Sequence, residues 1–354
     1  MKNRLTRSLF AALAATALTL TACAPTDSPD PANSGDGSAD WADQGDIAAL
    51  VEAAKKEGTV VWYTDQPPAT DEAAAQAFKQ EFGINVEYVA LNSVPIQQRY
   101  ASEADAGAFA ADVVTLGNSD QFLSDAIDKG WGMKITDAEL PVLELGTFPE
   151  EFMQGDNTAT VGVSPFLILY NKANVAEGDL PESLSDLTDP RFKDKILLAD
   201  PSASDALTAF YIVLQEELGD EWFEGVMKNN PKFYPAVSAA GQAMVAGEGD
   251  FVTPALRAVG AALQDSGAPV DAVIPPVTTG PKFNLMLTAT ENSPNPNAAK
   301  LFANWLLSES GSIAAQGGVG LSPYQSDELP SGFVEMPEAT PEKKAQVLSL
   351  LGLD

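Results

Sequence analysis

Histidine is absent from all 354 residues, and cysteine occurs once, at Cys23. The first absence excludes a histidine-based triad, a His-Glu-x-x-His zinc site and histidine-relayed proton transfer within the chain. The second excludes an intrachain disulfide, so the fold relies on its apolar core. Cations are scarce as well: 20 Lys and Arg against 50 Asp and Glu give a formal charge of −30. Such a charge repels nucleic-acid phosphates and offers no basic footprint for them, so no nucleic-acid partner is expected. It also repels an anionic membrane surface, so attachment to a membrane would have to come from a lipid. There is no Walker A loop, no G-x-G-x-x-G fingerprint and no G-x-S-x-G elbow. Paired carboxylates remain open in so acidic a chain, but no motif argues for an enzyme or for a bound cofactor.

What is present begins with an export signal. Lys2, Arg4 and Arg7 form a positive start, and residues 9–20 are an apolar run without charge. That run is too short to span a bilayer, so residues 1–22 read as a signal peptide. Leu20-Thr21-Ala22-Cys23 resembles the lipobox of bacterial lipoproteins. The resemblance implies cleavage before Cys23, a diacylglycerol on its sulfur, and an extracytoplasmic protein anchored to the cell membrane. Losing the three signal cations, with no acid lost, takes the mature charge to −33. Residues 24–40 are Pro, Ser, Gly, Asp, Ala and Asn with almost no bulky apolar side chain, the composition of a disordered tether.

The body alternates strand and helix patterns. Residues 59–64 form a continuous β-branched and aromatic run, followed by an amphipathic helix over 70–82 that Thr70 or Asp71 could cap. Further strands are expected at 84–91, 111–116, 195–199, 232–237, 251–256, 270–274 and 283–289, with helices at 93–105, 119–129, 202–218, 238–246 and 296–308. Residues 159–170 read as extended and interrupted by Pro165; a short helix is expected over 342–351. Alternation with continuous apolar strands predicts an α/β fold whose sheets are mainly parallel and buried on both faces.

Several phrases, in order, carry a resemblance. They are Thr59-Val-Val-Trp-Tyr-Thr-Asp65, Ala111-Asp-Val-Val-Thr-Leu-Gly117, Leu169-Tyr-Asn-Lys172, the long segment 184–205, Ala298-Ala-Lys-Leu-Phe-Ala-Asn-Trp-Leu-Leu-Ser-Glu309 and Gly320-Leu-Ser-Pro323. Together they resemble bacterial ABC-importer solute-binding proteins, in the group that includes ferric-ion, phosphonate and thiamine binders. The resemblance implies two doubly wound α/β domains joined by a two-crossing hinge, of the type II periplasmic-binding-protein kind, with the ligand between them. Domain one would comprise 41–163 and 280–354, and domain two 164–279. The expected partners are a small-molecule ligand and the permease and ATPase subunits of an importer, with the binding protein itself a monomer.

Ligands of such folds sit at strand carboxyl ends, where helix N-termini present free N–H groups. The candidates are therefore Tyr63, Thr64 and Asp65 after the first strand, Gly117 and Asn118 after the third, Ser202, Ala203 and Ser204 at a helix start, and Ser238 at another. Small hydroxyl residues there let an anion reach backbone donors, although each serine could equally be a plain helix cap. Of Trp62 and Tyr63, Tyr63 is expected nearer the cleft. Arg257 could clamp a carboxylate or phosphate, or be a solvated helix arginine. Ferric binders of the family hold iron with adjacent tyrosines late in domain two, whereas residues 251–259 contain none, so no metal site is expected. The leading ligand is thus a small anion: a phosphonate, phosphate ester or carboxylate. A thiamine- or polyamine-like cation held by Asp65 and aromatics is the alternative within the same role, with ferric ion less favoured. An exported lipoprotein hydrolase and a surface adhesin are the competing classes.

Overall fold

The computed structural model describes residues 45–354. The signal peptide, Cys23 and the tether lie outside the described residues. Strands form where the sequence runs through β-branched and aromatic residues: β1 (Thr59–Thr64), β2 (Asn85–Ala90), β3 (Val113–Gly117), β4 (Thr158–Val163), β5 (Leu167–Asn171), β6 (Ile196–Ala199), β7 (Lys232–Tyr234), β8 (Phe251–Ala255), β9 (Val270–Val273) and β10 (Lys282–Thr288). The helices around them are α1 (Gly45–Glu57), α2 (Pro68–Phe82), α3 (Ser93–Asp105), α4 (Asp120–Asp128), α5 (Asp205–Leu218), α6 (Asp220–Lys228), α7 (Val237–Val245), α8 (Arg257–Asp265), α9 (Pro296–Leu307), α10 (Glu309–Gln316) and α11 (Pro341–Leu350). None of them is long and apolar enough to cross a membrane.

Two sheets share one plan. The first runs β2-β1-β3-β10-β4, and the second β7-β6-β8-β5-β9. In each, three strands are parallel, and the fourth is antiparallel to both its neighbours. That fourth strand, β10 or β5, is the one by which the chain arrives from the other sheet. The parallel order expected from the sequence therefore holds for β1–β3 and β6–β8 and is broken where the chain changes lobe. Strands β3, β4, β5, β6 and β8 are buried throughout, as continuous apolar runs require, whereas β2 is a largely exposed edge.

Each sheet has a core on both faces. Alternation along β1 sends Val60 and Trp62 to one core with Phe78 and Phe302, and Tyr63 to the other with Ile96, Tyr100 and Leu123. The second sheet has a large core around Phe210 and Phe223 and a smaller one around Met244 and Val252. Each fully buried aromatic side chain removes enough apolar surface to stabilise the fold by roughly 2–3 kcal/mol.

The passages between sheets are short and bound to each other. Ser164, Pro165 and Phe166 link β4 to β5; Thr279, Gly280 and Pro281 lead into β10. Ser164 N–H donates to the Pro281 carbonyl (3.0 Å) and Phe166 N–H to the Thr279 carbonyl (2.7 Å). A Cβ on Gly280 would meet the Ser164 carbonyl and lie 2.6 Å from Pro165 Cα, so only glycine permits this approach. A third passage follows: Gly332–Phe333 pairs in parallel with Val277–Thr278, and the chain then enters α11. Val347 and Leu351 of that C-terminal end are buried in the core of the second sheet. The C-terminal end, expected with domain one, thus packs on the second lobe; its few apolar residues find their partners on α5 and α6.

Two helix starts also differ from expectation. Helix α2 begins at Pro68, which is pre-set for a first turn, so Thr70 and Asp71 fall inside the helix and are buried. Residues 201–203 form a separate turn, and Ser204 is extended (φ −155°, ψ 141°), so α5 begins only at Asp205.

Candidate functional site

The ends of β1, β3 and β6 and the starts of α5, α7 and α8 converge between the sheets. A cavity of about 170 Å³ lies there, lined by Asp65, Gln66, Ser204 and Ser238 among polar residues and by Phe166, Leu256 and Phe283 among apolar ones. No lysine or arginine lines it. The lobes touch at its side. Asp205, the first residue of α5, accepts hydrogen bonds from Gln97 Nε2 (2.8 Å) and Ser119 Oγ (3.2 Å), and its own N–H donates to Ser93 Oγ (3.3 Å). All three partners belong to the first lobe, so Asp205 fastens the second lobe to it.

Asp65 closes the end of β1. Its Oδ1 accepts from Gly117 N–H at 2.9 Å, which ties the β1 and β3 loops together. Burial pushes its carboxyl well above the usual carboxylate range; the Gly117 N–H opposes that rise, and the nearby Asp71 and Asp205 carboxylates add to it. Asp71 accepts from Thr64 Oγ1 (2.9 Å) through Oδ1, while its buried Oδ2 has no partner. Burial pushes Asp71 up to about 8, with the Thr64 hydroxyl opposing. Beside them Gln66, 5% exposed, has an Oε1 without a partner. The site is rich in acceptors and acids and poor in donors.

The sequence-derived candidates separate here. Asp65, Ser204 and Ser238 line the cavity. Tyr63 does not: it is fully buried, its hydroxyl donating to Glu103 (2.8 Å) and Arg99 lying 4.7 Å over its ring. The period of two puts its side chain beneath α3, away from the cleft. Thr64 is also wholly buried and orients Asp71 and Gln66, whose N–H donates to its Oγ1 (3.0 Å). Gly117 acts by close approach, since a Cβ there would stand 3.0 Å from Pro281 Cβ. Asn118, with φ 53°, donates from Nδ2 to the Pro337 carbonyl (3.1 Å) and so holds the third passage. Ser202 and Ala203 sit in the turn before α5: Ser202 N–H is capped by Asp200 (2.7 Å), and its carbonyl accepts from Lys344 of α11 (3.3 Å). Neither lines the cavity. Arg257 opens α8 but faces a different cavity. Gln66 and Asp205 went unnamed as candidates; an acid in the first turn of a helix ordinarily reads as a dipole partner, and no local signal marks one that reaches across a cleft.

Among the described residues there is no group of three or more metal-ligating side chains. Paired lobes with facing strand ends and a cavity between them define a two-lobed solute-binding protein. Residues 59–317 match the model of the bacterial extracellular solute-binding proteins, and the chain belongs to that family. The resemblance seen in its phrases is therefore borne out. No curated protein matches the sequence. The fold is similar to the substrate-binding protein of an ABC transporter from Agrobacterium tumefaciens (TM-score 0.70, 15% identity, 83% of this chain and 94% of that one). It is similar also to iron-bound HitA from Pseudomonas aeruginosa (0.60, 19%, 83% and 98%). A third likeness is to the spermidine/putrescine substrate-binding protein PotD from Streptococcus pneumoniae (0.61, 15%, 82% and 97%).

Proposed function

We propose that this chain is the capture subunit of an ABC importer and that its solute is a small amine cation held between the lobes. The carrying observation is the balance of charge in the cleft. Asp65 lines it, Asp205 stands between the lining residues Ser204 and Ala206, and no basic side chain faces it. An anion could draw on the helix starts that line the cavity, but it would meet the Asp65 carboxyl there and have no basic side chain to pair with. Burial, with Asp71 and Asp205 adding to it, disfavours the charged form of Asp65; a cation beside it favours that form, and its N–H groups supply the donor that Gln66 Oε1 lacks. This reading sets aside the anionic solute suggested by the serines: Ser202 lies in the turn before the helix with its N–H engaged by Asp200, and no basic side chain supports the other two. The small cavity suits a short amine, and the likeness of the fold to a protein named as a spermidine/putrescine substrate-binding protein supports the class.

Domain one is assigned to about residues 41–163 and 280–335, and domain two to 164–279 with the C-terminal helix. Closure of the domains would trap the solute and present the closed form to a permease and its ATPase, with Asp205 as the inter-lobe contact. The protein acts as a monomer and performs no catalysis. Calorimetric titration with putrescine and spermidine tests the ligand class. The wild type is expected to bind one amine per chain. Asp65→Asn, which keeps an acceptor for Gly117, should weaken it about tenfold or more. Tight binding of a phosphonate or carboxylate with no response to either amine would overturn the reading.

A further inference from the structure

A larger cavity, about 330 Å³, lies on the other flank of the hinge and shares Phe166 with the cleft. Its walls come from both lobes: Arg257 and Ile274 from the second, Ile313, Gln316 and Glu328 from the first. Four of its features have no explanation in the fold. Arg257 makes no hydrogen bond or ion pair with any described residue and is exposed. Gln316, 2% exposed, donates Nε2 to the Val161 carbonyl (3.0 Å) and leaves Oε1 buried without a partner. Gly320 is required above it, since a Cβ there would fall on that oxygen. Ile274 and Ile313 leave 46% and 41% of their surface exposed.

An arginine without a partner offers a planar fork to a carboxylate. Glu328 adds an anion on the same wall, one oxygen of which is engaged by Gln325 Nε2 (3.0 Å). Cation, anion and apolar walls together match one chemistry. The geometry points to a second solute site at the hinge, for a zwitterionic amino acid with an aliphatic side chain. Its carboxylate pairs with Arg257, its ammonium turns to Glu328, and its side chain lies against Ile274 and Ile313. The cavity volume falls at the low end of ligand pockets, as an amino acid requires. Because both lobes line it, occupancy there is linked to lobe closure and hence to capture in the cleft.

The test is calorimetric titration of the mature protein with L-leucine, with leucinamide and 4-methylpentanoate as probes lacking the carboxylate and the ammonium. One leucine per chain is expected, with both analogues weaker. Arg257→Gln, an exposed change that leaves the fold intact, should weaken leucine about tenfold or more, while Lys228→Gln, an exposed change on α6 that lines neither cavity, should change it less than about twofold. Absence of leucine binding overturns the proposal, as does leucine binding that survives Arg257→Gln or is lost in Lys228→Gln. Putrescine titrations run separately, so failure of the amine reading leaves this result legible.

Discussion

Single carboxylates organise this protein more than its charge suggests. Asp112 is fully buried and accepts from Val61 N–H (2.8 Å), Ser293 Oγ (2.6 Å), Asn295 N–H (2.7 Å) and Asn295 Nδ2 (2.9 Å). Glu57 caps α9 by accepting from Asn297 N–H (3.2 Å) and Ala298 N–H (2.7 Å). Both are acids amply supplied with donors. Asp71 is the opposite case, with a single donor and a carboxyl pushed up to about 8 by burial. In the unfolded chain such a group ionises near 4, at roughly the reference value. Between those two pH values the unfolded chain has lost the proton and the folded chain has kept it. Stability therefore falls as pH rises through that window and levels off above it. Asp71→Asn keeps the acceptor for Thr64 and cannot ionise. The variant is expected to be more stable than wild type at pH 8 by about 2–5 kcal/mol, with a much smaller difference at pH 5. Urea denaturation across pH 5–9 measures it; parallel pH slopes for the two proteins would mean that Asp71 is charged in the fold.

At the scale of elements, the hinge is the part with least tolerance. Its passages are held by backbone hydrogen bonds and by the contact that Gly280 permits. Gly280→Ala would place a methyl group against the Ser164 carbonyl, which is backbone and cannot swing aside. The expected cost is about 1–3 kcal/mol of stability, as for an overpacked core. The separated passages should also hold the lobes further apart, seen as a larger radius of gyration in small-angle scattering. An unchanged denaturation midpoint and radius would show that the passages yield freely. Elements with strong patterns were legible beforehand: β1, β3, β8 and the helices α3 and α9 lie within a few residues of their expected limits. Helices α1, α6, α8 and α10 were not, although α6 and α8 carry a clear amphipathic period that a search for helices could have used. Pro68 and Ser204 moved two helix starts, and the second shift took Ser202 and Ala203 out of the site.

For the molecule as a whole, family membership implies work outside the cytoplasm, and the export signal with Cys23 is the proposed means of staying there. A formal charge of −30 offers no electrostatic hold on an anionic bilayer, so any attachment would rest on the proposed acylation of Cys23. Cys23→Ser is expected to move the protein from the membrane fraction to the soluble one, followed by fractionation and immunoblot. Retention of a correctly processed Ser variant in membranes would refute the anchor.

The amino-acid pattern alone determined the α/β class and the family, because each rests on local periodicity and on short phrases of fixed order. Only the tertiary structure decided which residues those loops present. Tyr63 and Thr64 turn into cores by the alternation of a strand buried on both faces. Asp65 and Asp205, 140 positions apart, come close enough for one carboxylate to bear on the other because two sheets of the same plan meet there. The C-terminal helix joins the second lobe because Val347 and Leu351 find a matching core there. No local pattern encodes those distant encounters: side chains brought together by packing share one field, and that field sets the environment of the cleft.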